Sequence, residues 1–236
     1  MDFKSFEEEL ERLDVAVFTV RDAARITGAT KDLAYCRLFL SRLASRGRIL
    51  RIERGKYCTR HADPYEVASN LVFPSYVSFM SALAFHKLTT QIPVEIQIAC
   101  SRQKKPLEFG NNRVVFAKLK DKALFGFRHE GLAAVAEPEK AVIDGLYMPE
   151  KMPASEAFHA IKEGLLDAEK MEEYARRLDS TVVTKRLGFL MELAGLETTT
   201  LKPRPNTKTD LLNTRMPAKG TRSRKWRLLI NEVIDA

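Results

Sequence analysis

Residues 15–60, VAVFTVRDAARITGATKDLAYCRLFLSRLASRGRILRIERGKYCTR, decide the architecture of the N-terminal part of this 236-residue chain. VAVFTV is a short β-branched run, and Val20 to Ile26 reads as a short helix that Gly28 ends in a left-handed cap. Thr30 is expected to cap a second helix, with Asp32 in its first turn, running to about Ser45 before Gly47. ILRIE and KYCTR then pair across Glu53-Arg54-Gly55, a hairpin signal with glycine where a positive φ is needed. Upstream, Phe3, Phe6, Leu10 and Leu13 recur at spacings of three and four, a helical stripe able to cover a core that Leu33, Leu40 and Leu43 face. Helix, short strand, helix, turn, helix, hairpin is the order of a winged helix-turn-helix. In that plan the helix after the turn enters the major groove of DNA, and the hairpin wing reaches the flanking backbone or minor groove.

Projecting the second helix of the pair at about 100° per residue groups Leu33, Cys36, Leu40, Leu43 and Gly47 as the buried stripe. Lys31, Ala34, Tyr35, Leu38 and Arg42 fall opposite, a face with two cations, an aromatic hydroxyl and no acid. Such a face suits phosphates and base edges; an ordinary solvated face is the alternative. Arg51, Arg54, Lys56 and Arg60 surround the hairpin, with Arg48 before it. Arg54 at the turn and Lys56 beside Gly55 are expected to touch phosphates, while Arg21 and Arg25 can clamp the same strand. The candidate DNA-binding set is therefore Arg21, Thr30, Lys31, Tyr35, Arg42, Arg51, Arg54 and Lys56.

Charge supports the same partner. Residues 21–60 hold eleven Lys and Arg against three acids, and residues 198–236 hold nine against three, within a chain of net charge +8. Two basic blocks around a mildly acidic middle point to a polyanion, against the alternative of a solvated basic surface. At 45% hydrophobic and 30% charged, the composition is that of a soluble globular protein. No apolar run is long enough to span a membrane. The N-terminal MDFKSFEEELERLD is acidic and helical in pattern, unlike a signal peptide, so a cytoplasmic location is expected.

Beyond His61 the pattern changes. Asp63-Pro64 opens a helix, EVASNLV, that Pro74 stops, and residues 75–88 read as a helix rich in small and aromatic residues. VEIQIAC (94–100) and RVVFAKL (113–119) read as strands, ALFGFRH (123–129) as a third, and SRQKKP as a solvated hairpin tip that could touch DNA or a partner. Pro138 opens the helix EKAVIDGLYM, and further helices fill 154–196. Residues 198–209 form an extended connector, and WRLLINEVI a terminal strand docking on the second domain.

Enzyme chemistry finds little support. Cys36, Cys58 and Cys100 form no CxxC pair, and His61, His86, His129 and His159 lie far apart, so buried thiols are expected rather than a metal site. There is no GxSxG elbow around Ser75, Ser78 and His86, and no glycine loop for a nucleotide. Glu137, Glu139, Lys140 and Asp144 could be read as a metal-dependent nuclease cluster. Helical spacing makes surface pairs and caps the expected reading.

The wing ILRIERGKYCT, together with SYVSFMSALAFHKLTTQIP, AEPEKAVIDGLY, KRLGFLMELAG and RKWRLLIN in the same order, resembles the AbiEi-type antitoxins and related regulators of phage-defence operons. One departure is Lys87 after His86, where that family's pattern has glycine. The resemblance implies an N-terminal domain that represses its own operon. It further implies a C-terminal domain that neutralises a nucleotidyltransferase-like toxin encoded next door, without a stable complex; stand-alone regulators share the architecture.

The expected fold is α/β: a winged helix-turn-helix over 1–62, a mixed α/β domain over 63–197, and a basic connector with a terminal strand over 198–236. The expected function is sequence-specific binding of double-stranded operator DNA, with inverted repeats among the arrangements open, and no catalytic residue, cofactor or metal. A winged helix that binds only protein is the alternative, and a metal-dependent nuclease the next.

Overall fold

The computed structural model describes residues 3–163, 165–202 and 208–234. The first unit runs α1 (Phe3–Leu13), β1 (Phe18–Thr19), α2 (Val20–Ile26), α3 (Leu33–Ser45), β2 (Ile49–Glu53) and β3 (Lys56–Thr59). This is the winged helix-turn-helix order, with β3 central in a three-stranded sheet ordered β1-β3-β2. Phe6, Leu10, Phe18, Leu40, Leu43, Ile49 and Tyr57 close its core. Phe6 meets Phe18 edge to face at 5.9 Å. The α1 stripe is shorter than its spacing predicts, because Leu13 lies at the helix end and stays exposed.

The rest comprises α4 (Pro64–Ser69), β4 (Ser75–Val77), α5 (Phe79–Phe85), β5 (Ile96–Cys100), β6 (Leu107–Phe109), β7 (Asn112–Lys118), β8 (Phe127–Glu130), β9 (Ala133–Ala136), α6 (Pro138–Tyr147), α7 (Ala154–Lys162), α8 (Ala168–Leu178), α9 (Thr181–Leu193), β10 (Asp210–Leu211), β11 (Thr221–Ser223) and β12 (Leu228–Ile230). Six strands form a mixed sheet ordered β6-β7-β5-β4-β9-β8. The chain is thus mixed α/β, with a winged helix at its N-terminus.

Residues 75–88 are not one helix: Ser75–Val77 pair with β5 and β9, and the helix begins only at Phe79. SRQKKP is not a hairpin tip, because β5 and β7 run parallel, with β6 folded back on β7 between them. Strands β6 and β9 have no counterpart in the sequence reading. The third expected strand starts at Phe127, after a short 3-10 turn over Asp121–Ala123. The three cysteines are free and buried, and burial pushes the Cys58 thiol up to about 11.

The wing has two working faces. Ile49 packs into the winged-helix core, whereas Ile52 and Cys58 are buried in the large core of the second unit, with Leu50 packed against it. Cutting the chain at residue 62 would therefore bare Ile52 and Cys58.

The last segment is a small sheet ordered β10-β12-β11 held on α9. Lys185 Nζ donates to Asp210 at 2.7 Å and to the Lys208 carbonyl. Arg186 spans the carbonyls of Leu211 and Leu146. Trp226 lies in the notch of Gly188, where a Cβ would run into its ring, and its indole donates to Glu192 at 2.7 Å. KRLG and RKW are thus two halves of one latch. Within 198–209, residues 203–207, including Arg204, lie outside the described residues. No helix of the described residues is long and apolar enough to cross a membrane.

Candidate nucleic-acid interface

Local chemistry builds the two helices. At the start of α2, Thr19 Oγ1 accepts from Asp22 N at 3.3 Å while Asp22 Oδ2 accepts from Thr19 N at 2.8 Å, a reciprocal capping box. Gly28 at φ +70° turns the chain after α2 without a Cβ penalty. Asp32, not Thr30, is the cap of α3: its carboxylate accepts from Tyr35 N at 2.8 Å. Asp is as good a cap as Thr, and the turn between the helices is correspondingly longer. Thr30 and Lys31 lie exposed in that turn.

The faces of α3 divide as the projection predicts. Cys36, Leu40 and Leu43 are buried, Leu33 is half-buried, and Ala34, Tyr35, Leu38 and Arg42 are exposed. Tyr35 keeps 45% of its surface and Leu38 51%. Tyr35 is held by stacking on Phe39, with ring centroids 6.2 Å apart and 13° between planes. No residue from Leu33 to Ser45 is acidic. A polyanion approaching this face therefore meets hydroxyls, an aromatic edge and guanidinium groups, with the exposed Asp32 carboxylate at its edge held on Tyr35 N. Arg37 and Arg46 are exposed on the same helix and its cap and belong to the candidate surface. They lie at the border of the outward stripe and just past the helix end, so helical period alone does not single them out.

The wing divides differently. Arg51 is exposed beyond Ile49 on the same strand face, and Arg54 is exposed at the turn with Gly55 at φ +79°. Lys56 is turned inward. Its Nζ donates to the Leu71 carbonyl at 2.7 Å and pairs with Glu53 at 3.0 Å. A register shift between Arg51 and Glu53 aims Glu53 at the second unit, where Lys104 meets it at 2.5 Å. Burial pushes the Glu53 carboxyl up, but hydrogen bonds from Lys104 and Lys56 outweigh it and hold the group below its usual value. The brace is thus intact at neutral pH and is lost only as pH falls through that depressed value. Of the other cations, Arg21 is exposed at the start of α2, Arg25 pairs with Asp22 at 3.6 Å, and Arg48 covers the Phe3 ring.

Glu137, Glu139, Lys140 and Asp144 are not surface pairs. Lys140 and Asp144 are wholly buried and ion-paired. Asp144 also accepts from Tyr76 OH at 3.0 Å and Ser78 Oγ at 2.8 Å. Lys140 lies over the rings of Tyr76 and Phe125. Glu137 and Glu139 are tied by Lys170 at 3.2 and 3.1 Å, and Glu137 also by Arg128 and Tyr174. The i,i+4 spacing of Lys140 and Asp144 is the same for an exposed and a buried pair, so it could not reveal this. Among the described residues, no three His, Cys, Asp or Glu side chains converge as a metal site.

Residues 6–60 match the family model described as a transcriptional regulator, the AbiEi antitoxin. The match spans the winged helix and leaves the larger unit uncovered. No curated protein matches the chain. Among solved structures, the RV2827C protein from Mycobacterium tuberculosis is similar over 96% of this chain and 90% of that one, with a TM-score of 0.63 and 15% sequence identity. At that identity the likeness shows a shared fold and nothing more.

Proposed function

We propose that this chain, whose residues 6–60 match the AbiEi antitoxin regulators, binds operator DNA sequence-specifically and represses its own operon. The observation that carries the reading is the exposed, acid-free face of α3. Tyr35 and Arg42 are the side chains for the major groove, with Arg21, Thr30 and Lys31 at the entry to that helix. Arg51 and Arg54 on the wing meet phosphates. Lys56 is committed to Leu71 and Glu53 and contributes by holding the wing. The burial of Lys140 and Asp144 as an ion pair favours this reading over a nuclease built on that cluster.

Replacing Arg51 and Arg54 together by Ala is expected to flatten the salt dependence of DNA binding. Each lost phosphate contact removes about 0.9 from the log–log slope, so the pair removes about 1.8. Filter binding between 50 and about 200 mM salt measures it. An unchanged slope, with the circular dichroism of the wild type, would show that the wing points away from DNA.

The antitoxin description of that family supports a second role, opposing a toxin, which the resemblance over the rest of the chain makes a nucleotidyltransferase-like protein encoded beside the gene. Both genes are to be driven from foreign promoters, because an autorepressor would otherwise protect by silencing the toxin. Restored growth supports neutralisation; continued arrest leaves repression alone.

A further inference from the structure

Between the wing and the second unit lies a cleft of about 480 Å³ whose lining includes Lys56, Asn70, Phe73, Arg102 and Lys104. Among the described residues three cations line it and no carboxylate does; the acid beside it, Glu53, is shared by two of them. The side chains of Lys56 and Lys104 keep only 32% and 20% of their exposure. An excess of cations at partly desolvated positions favours an anion, because water there is too sparse to screen the repulsion. Donors are also left over. An ammonium has three N–H groups and a guanidinium five. Lys56 spends two, on Glu53 and the Leu71 carbonyl. Lys104 spends one on Glu53 and lies over the Phe116 ring. Arg102 makes a single long bond, 3.4 Å, to the Phe73 carbonyl.

We propose that this seam is a binding site for a small phosphorylated anion, seated between Arg102 and the two lysines in competition with Glu53. Arg102 supplies the planar fork that suits phosphate oxygens, and the lysines supply point charges from the floor. The ligand would sit against both strands of the wing, since Glu53 ends β2 and Lys56 begins β3. Occupancy therefore loosens the Glu53 brace and couples the site to the wing. A phosphate of bound DNA carries the same chemistry, but the partly buried Lys56 and Lys104 fit a free ligand better than a backbone passing over the surface.

Isothermal titration of the full chain with pyrophosphate, at constant ionic strength, tests this. Saturable binding with one site is expected. Arg102→Ala should weaken it by about tenfold, the loss of a charge-assisted hydrogen bond. Glu53→Gln should tighten it, because the competing carboxylate is gone; damage to the fold would act in the opposite direction. Absence of saturable binding, equal binding by Arg102→Ala, or weaker binding by Glu53→Gln would each overturn the proposal. A repeat with the chain saturated by a 30-base-pair duplex of its own upstream DNA separates the two sources of phosphate. Retained pyrophosphate binding is expected, and its abolition would assign the seam to the DNA backbone instead. If the wild type binds no DNA at all, the proposed function fails while the pyrophosphate result stands.

Discussion

Lys140→Met is expected to cost about 3–5 kcal/mol of stability, because it leaves the Asp144 carboxylate buried without its counter-charge. Asp144 has no exposed surface, and Tyr76 and Ser78 are its remaining donors. Two neutral hydroxyls stabilise a carboxylate far less than an ammonium in contact with it. A loss of that size is a large fraction of the ~5–15 kcal/mol that holds a domain together. The urea midpoint followed by circular dichroism should therefore drop sharply. Replacing both partners, Lys140→Met with Asp144→Leu, should recover part of the loss, since an unpaired buried charge costs more than an apolar pair of similar size. A single variant within 1 kcal/mol of the wild type would mean that the two groups are not sealed together.

Gly188→Val should expel Trp226 from its notch on α9. A glycine inside a helix costs about 1 kcal/mol relative to alanine, and here it makes room for an indole. The added methyls collide with the ring, and the tail sheet then loses its largest buried side chain. The cost lies between about 1–3 kcal/mol for overpacking and about 3–5 kcal/mol for losing a buried tryptophan altogether. Trp226 is the single tryptophan of the sequence, so the fluorescence reports on this site alone. The emission maximum should move to the red and residues 208–234 should become sensitive to protease. An unshifted maximum would show that the tail is not seated through this notch.

What the sequence reveals here depends on whether a signal is local. Gly28 after α2, the Arg54-Gly55 turn and the prolines at 64 and 138 each act within a few residues, and the elements they delimit are found in place, whereas the cap of α3 falls on Asp32 rather than Thr30. Segment 75–88 misleads because β4 is flanked by β5 and β9, and Tyr76 and Val77 are both fully buried. A strand buried on both faces shows no alternation, and its apolar run looks like a buried helix. Strand β9, AAVA, has the composition of a helix and is a strand only through its neighbours. Lys87 after His86 takes φ +60°, a left-handed position where glycine would cost nothing.

The candidate interface shows the same division. Which residues of α3 face outward follows from helical period alone, and Tyr35, Leu38 and Arg42 are exposed as that period requires. The inward turn of Lys56 does not follow, because it depends on the Leu71 carbonyl and on a register shift in β2. Nor could the spacing of Glu53 and Lys104, 51 residues apart, suggest that they brace the wing.

If α3 reads DNA, as proposed, operator preference rests on Tyr35 and Arg42. Fluorescence anisotropy at fixed salt is to compare the wild type with Tyr35→Ala/Arg42→Ala on a labelled duplex from the chain's own upstream DNA and on a scrambled duplex. The wild type should prefer its own duplex. The double variant, with unchanged circular dichroism, should lose about 1–3 kcal/mol for each side chain that reads a base, and most of its preference between the two duplexes. Equal affinity and equal discrimination in both proteins would contradict the account and remove α3 from the interface.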